Sequence, residues 1–219
     1  MIKNKLLEKL EAIASFKPNE PSNYPFESFT KVNKKISIVK DSNFSFIYHD
    51  NIEFLKELFS QIEFVDSTKD ETISEDSHVV YIPGGYVETE ESYKKIKNSH
   101  NFKNSLITHA KTKHVYAECA GLLYLSNAVD DKPMSKILDV DFTLTPKRTR
   151  LGYYYNENDL KGHAFHYTKP NDYSKGFDIL SKKPNGKGEV GSWRCNKVFG
   201  TYLHTMFRNN ITNIKDYFG

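Results

Sequence analysis

The chain has 219 residues, enough to bury one substantial core, and its 31 basic and 28 acidic residues leave a net charge of +3. Charge so balanced and so scattered excludes the dense basic face of a nucleic-acid-binding protein, and no apolar run reaches the length of a membrane span. Two cysteines, Cys119 and Cys195, exclude a disulfide framework and fit a reducing cytoplasm.

Leu6, Leu7, Leu10 and Ile13 recur at helical spacing, and Pro18, Pro21 and Pro25 follow as an irregular connector. The opening Met1-Ile-Lys-Asn-Lys5 has no signal-peptide core. Residues 1–33 hold too few apolar side chains for a core of their own and read as a linker or docking segment. The globular domain is expected over 34–219.

Residues 35–40 form a first strand, and a polar and aromatic loop follows over 41–51. Ile52, Leu55, Leu58 and Phe59 then keep a helical period. Residues 62–65 and 78–82 read as the second and third strands, the latter running into Pro83, Gly84 and Gly85. A helix is expected from about Glu90 to Lys111, and a fourth strand, Val115 to Ala117, leads to Cys119. Strands alternating with helices predict an α/β fold with a mainly parallel sheet covered on both faces. Ligands on such sheets gather beyond the carboxyl ends of the strands, where both Gly84-Gly85 and Cys119 fall. In the second half, 142–145, 151–155, 164–168, 189–194 and 198–204 are short aromatic and β-branched runs between turn signals. They predict hairpins closing one edge of the parallel sheet.

Ala120 and Gly121 permit a sharp turn after Cys119, and Leu122, Leu123 and Leu125 open a helix. Strand, tight turn and helix make a nucleophile elbow, with the helix N-terminus favouring the thiolate. The alternative is a free thiol packed as a small hydrophobe, and the turn alone leaves the two level. His204, at the end of an apolar strand, can supply the base that a thiol nucleophile needs and shifts the balance towards chemistry. His163 and His166 sit at an odd spacing that points them to opposite faces of a strand, so no metal site is expected there. Cys195 lies in a hairpin turn. No Walker motif follows Gly84-Gly85, so ATP is not expected on a P-loop in this chain.

Four stretches carry a family resemblance: Asp41 to Asn51, Tyr81-Ile-Pro-Gly-Gly-Tyr-Val-Glu88, Tyr116-Ala-Glu-Cys-Ala-Gly-Leu-Leu-Tyr-Leu125, and Gly162-His-Ala-Phe-His-Tyr-Thr168 with Gly200-Thr-Tyr-Leu-His204. In order and spacing, over about residues 34–210, they resemble the C-terminal glutaminase domain of cobyrinic acid a,c-diamide synthase, in the cobyrinate and cobyric acid branch of class I glutamine amidotransferases. The resemblance implies the flavodoxin-like class I glutaminase fold and a thioester mechanism on glutamine. Cys119 would be the nucleophile and His204 its acid and base, with Gly84, Gly85 and Ala120 at the oxyanion and substrate site. Ala120 replaces the family's usual glycine, Val87 its usual proline, and Met206 stands where many class I glutaminases carry an acid. The resemblance further implies ATP and magnesium on a separate synthetase domain, with this chain holding no cofactor, and a tetrapyrrole as the amide acceptor. A glutaminase subunit serving another ligase, such as one amidating a cell-wall precursor, and a non-catalytic binding module are the other two readings.

Overall fold

The computed structural model describes residues 29–184 and 186–218, together with Lys5 and Lys9. The expected docking residues Leu6, Leu7, Leu10 and Ile13 lie outside the described residues. Runs of β-branched side chains set the centre of the sheet: β1 (Val32–Val39), β3 (Ser77–Ile82) and β4 (His114–Glu118) pair in parallel, with β2 (Phe59–Val65) beyond β1. Ile36, Ile38, Val79 to Ile82 and Val115 to Ala117 are inaccessible to solvent, as strands covered on both faces require. The first strand begins two residues before the expected start of the domain.

α1 (His49–Leu58) ends where the expected helix still had Phe59, which instead opens β2. The single helix expected over 90–111 is two, α2 (Glu90–Ile96) and α3 (His100–Ala110), parted by Lys97, Asn98 and Ser99. Thr89 caps α2 by accepting the Ser92 N–H at 3.2 Å, which fixes its start. After β4 comes α4 (Ala120–Leu125), every residue of which is buried.

The hairpins appear on the expected edge. β13 (Val198–Thr201) pairs parallel to β4, and β12 (Gly188–Cys195), β11 (Asp178–Ser181), β8 (Arg150–Tyr155), β9 (Lys161–His166) and β14 (His204–Thr205) follow antiparallel. The resulting ten-stranded sheet runs β14-β9-β8-β11-β12-β13-β4-β3-β1-β2. A second sheet of four short strands was not foreseen: β10 (Thr168–Pro170), β7 (Asp141–Leu144), β5 (Ala128–Val129) and β6 (Lys132–Pro133). The run expected over 164–168 is split between β9 and β10. α5 (Ile211–Phe218) closes the described chain.

Two rows of side chains on β4 and β13 decide what covers the sheet. On one face, Ala117 stands beside Gly200, and a Cβ on Gly200 would come within 2.8 Å of Leu122 Cδ1. Small residues there let α4 lie close to the strands. On the other face, Tyr116 stands beside Phe199, their rings stacked with centroids 5.8 Å apart and both packed on Tyr217 of α5. Burying Leu122, Leu123 and Leu125 on the first face contributes about 1.5–3 kcal/mol each, which holds so short a helix in place.

Candidate active site

Cys119 leaves β4 at φ +46° and ψ −103°, a conformation that non-glycine residues rarely adopt. The turn is held on both sides: the Cys119 N–H donates to the Thr201 carbonyl at 2.8 Å, and its carbonyl accepts the Leu123 N–H at 3.0 Å. Gly121 is demanded by the same turn, since a Cβ there would stand 2.4 Å from the Ile82 carbonyl oxygen. This is the expected elbow. Ala120 occupies the first turn of α4 without a positive φ, so its Cβ is tolerated where the resemblance has glycine.

The chain over 198–204 is not one strand. β13 ends at Thr201, Tyr202 and Leu203 turn the backbone, and β14 begins at His204 beside His163 of β9. The turn carries His204 to the rim where Cys119 emerges, and both line one cavity of about 290 Å³. Gly85 and Glu88 line it as well, with Phe46 and Tyr86. Gly84 stands behind it: a Cβ there would lie 2.1 Å from His204 Cε1, so the imidazole packs directly on the glycine backbone. Phe46 meets the ring at a centroid distance of 4.3 Å.

Gly85 is glycine for reasons of backbone and packing. Its φ is +148°, and a Cβ would fall 1.9 Å from the Asn43 carbonyl oxygen, which also accepts the Tyr86 N–H at 2.8 Å. Packing of the 43–46 loop excludes a side chain.

The electrostatics depart from expectation. A thiolate favoured by the helix is not the resting state: burial, then the nearby Glu88 carboxylate, push the Cys119 thiol up to about 12. The Ala120 N–H favours the thiolate but is outweighed. Burial, with a smaller contribution from His163, takes His204 down to about 3. The resting pair is therefore a neutral thiol and a neutral imidazole. His204 Nδ1 is buried without a hydrogen-bond partner, in keeping with methionine at position 206.

Several cavity residues were not singled out from the sequence. Glu88 and Tyr86 follow the two glycines, so the motif itself could have pointed to them. Phe46 comes from the loop after β1, and its N–H donates to the Gly84 carbonyl at 3.0 Å. His163 and His166 both line the cavity although their odd spacing on β9 had pointed them to opposite faces. His166 lies flat on Tyr202, with ring centroids 3.6 Å apart, and its Nδ1 donates to the Thr168 carbonyl at 2.9 Å. Among the described residues no group of three or more His, Cys, Asp or Glu side chains could hold a metal ion. Cys195 is exposed at the end of β12, beside the turn residue Asn196. No helix among the described residues is long and apolar enough to cross a membrane.

Residues 35–212 match the family described as a CobB/CobQ-like glutamine amidotransferase domain. A cobyrinate a,c-diamide synthase from Herminiimonas arsenicoxydans is 28% identical over 183 residues, covering 80% of this chain and 41% of that protein. Another from Clostridium tetani is 32% identical over 237 residues, covering 98% of this chain and 52% of that one. The chain thus spans about half the length, or less, of these relatives. Among solved structures, a glutamine amidotransferase from Thermotoga maritima superposes with a TM-score of 0.53 at 16% identity, over 85% of this chain and 83% of that one. PurLQS from the same organism gives 0.56 at 14% identity, over 79% and 88%. These two share the fold.

Proposed function

This chain belongs to the CobB/CobQ-like glutamine amidotransferase family, and on that premise we propose that it hydrolyses glutamine through Cys119 and His204 to supply ammonia for ATP-dependent amidation. The observation that carries the reading is the strained turn that presents Cys119 to the same cavity as His204.

The Cys119 sulfur attacks the side-chain amide carbon of glutamine while its proton passes to His204, which gives it to the departing ammonia. Water then adds to the γ-glutamyl thioester, His204 takes its proton, and glutamate leaves as the proton returns to sulfur. Because thiol and imidazole are both neutral at rest, the thiolate forms during attack and is not stored beforehand. The N–H groups of Gly85 and Ala120 hold the oxyanion, each donor worth roughly 3–4 kcal/mol. Glu88, the carboxylate on the cavity wall, suits the α-ammonium of a free amino acid. Glu88→Gln should raise KM for glutamine roughly tenfold with little change in kcat, as the loss of a charged hydrogen bond predicts; an unchanged KM removes Glu88 from substrate binding.

Ammonia of this kind serves a ligase that activates a carboxylate, and the curated relatives are named for the a,c-diamidation of cobyrinate. The synthetase, with its ATP and magnesium, is the proposed partner, and a cobyrinate-like tetrapyrrole is the proposed acceptor. The experiment is ammonia release from glutamine by the chain alone and with a candidate synthetase, beside Cys119→Ala. Ammonia that depends on Cys119 supports the reading; release that survives Cys119→Ala refutes it.

A further inference from the structure

Three buried polar residues meet behind His204, away from the cavity. β14 is the edge strand of the large sheet, paired on one side with β9. Its other edge is buried, where unpaired backbone groups are costly. Glu118, 1% exposed, and Asn51, fully buried, fill the place of a missing strand. The Thr205 N–H donates to Glu118 Oε1 at 3.0 Å, and Asn51 Nδ2 donates to the Thr205 carbonyl at 2.8 Å. The Phe207 N–H donates to Asn51 Oδ1 at 2.9 Å.

The clamp is itself anchored. Tyr81 Oη donates to Glu118 Oε2 at 2.9 Å, and Tyr116 Oη lies 3.3 Å from Oε1. Burial raises the Glu118 carboxyl to about 8, against the opposing pull of its bonds from Thr205, Tyr81 and Tyr116. The imidazole of His204 has no such anchor: its Nδ1 has no partner, and the ring rests on Gly84 and Phe46 by packing alone. Its placement must then come from the backbone that carries it.

We propose that Glu118 and Asn51 are positioning residues for His204, setting its imidazole by gripping Thr205 and Phe207 from behind. They do through the main chain what an acid bonded to the imidazole does in a Cys–His–acid triad. The inference rests on the reading of Cys119 and His204 as the reacting pair.

The test uses the full chain carrying Cys195→Ser, so that Cys119 is its one thiol. Glu118→Ala and Asn51→Ala should each lower kcat for glutamine by about 10- to 100-fold, with KM within about threefold, as expected when a catalytic group is misplaced by an ångström or less. Glu118→Gln can still accept from Thr205 and should stay within about threefold of the parent. Combined with His204→Ala, either alanine variant should cost nothing further, because the clamp acts through that ring. A purely structural role predicts losses that multiply, and that outcome overturns the proposal, as does full activity in both alanine variants. Should Glu118→Ala fail to fold, Asn51→Ala carries the same comparison. If the parent releases no ammonia even with a synthetase, the glutaminase reading fails separately. The pH profile of Cys119 alkylation by iodoacetamide then decides: His204→Ala and Asn51→Ala must alter it alike, and a profile moved by neither or by only one overturns the clamp.

Discussion

Gly84→Ala is the smallest change that should disable the site without touching a reacting group. Gly84 has no positive φ, so alanine costs no backbone strain there. The added Cβ would meet His204 Cε1 at 2.1 Å and Nδ1 at 2.8 Å, where ordinary contact begins at 3.4 Å. The shortfall at Cε1 is about 1.3 Å, and with Phe46 also against the ring, the imidazole must swing or slide by about that much. Misplacing a catalytic group by roughly 1 Å costs about 10²-fold in rate. Forcing an extra methyl into packed surroundings costs about 1–3 kcal/mol of stability, so the fold should survive. We therefore expect kcat for glutamine hydrolysis to fall about a hundredfold, with a melting temperature only a few degrees lower and Cys119 still open to a glutamine-like electrophile. Activity within about threefold of the parent would show that the imidazole does not rest on Gly84 when the enzyme turns over, and would refute the reasoning.

The two thiols should part by reagent. A generic reagent should modify the exposed Cys195 first, since burial holds Cys119 as a thiol, whereas a glutamine-shaped diazo-ketone should label Cys119; peptide mass spectrometry showing the diazo-ketone preferring Cys195, or labelling neither thiol, speaks against the nucleophile. With its conjugate acid taken down to about 3 by burial, His204 stays a neutral base through the weakly acidic range. The acid limb of kcat/KM should accordingly lie well below 6.5, and His204→Ala should cost about 10²-fold or more throughout; a limb near 6.5 contradicts the burial argument. Glu118 is raised from 4.5 to about 8, so the folded chain keeps a proton that the unfolded chain releases. Its stabilising contribution is complete below about pH 4.5 and is lost as pH rises through about 8. Glu118→Gln has nothing to ionise, so its melting temperature should gain on the parent's over that window; a constant difference argues against a buried carboxyl.

The parallel centre of the sheet was legible because Ile36, Ile38, Val79, Val80 and Val115 are side chains that sheets favour, gathered in short runs bounded by polar or turn-forming residues. The elbow was legible for a similar reason, since Ala120 and Gly121 have no bulk to spoil the turn. Breaks inside a continuous pattern were harder. Lys97 to Ser99 interrupt a helix that polar residues could equally have continued, and Tyr202-Leu203 is as apolar as the strands on either side of it. β11 escaped notice because Asp178-Ile-Leu-Ser181 is too short to show a period, and it exists as a strand through its pairing with β12. α5 was not expected either, although the spacing of its buried Ile214, Tyr217 and Phe218 is helical. The place of Glu118 had no such signal. A lone glutamate reads as solvated, and its partners Tyr81 and Thr205 lie 37 and 87 residues away. The neutral resting state of Cys119 and His204 escaped for the same reason, because burial comes from the whole fold and not from neighbours in sequence.

The bond from the Cys119 N–H to the Thr201 carbonyl ties the elbow to a strand made much later in the chain. β4 and β13 are sequential in space but not in synthesis: every residue from α4 to β12 must be made before Thr201 can reach Cys119. Closing a loop of that size carries an entropic cost that is recovered once the strands zip together, which is the kind of step that slows folding. A nascent or nicked chain lacking β13 would leave the cysteine on an unsupported turn, with its histidine not yet present. On the proposed reading, the thiol is thus kept from its base until the sheet is whole, and unfinished copies would have no means of spending glutamine.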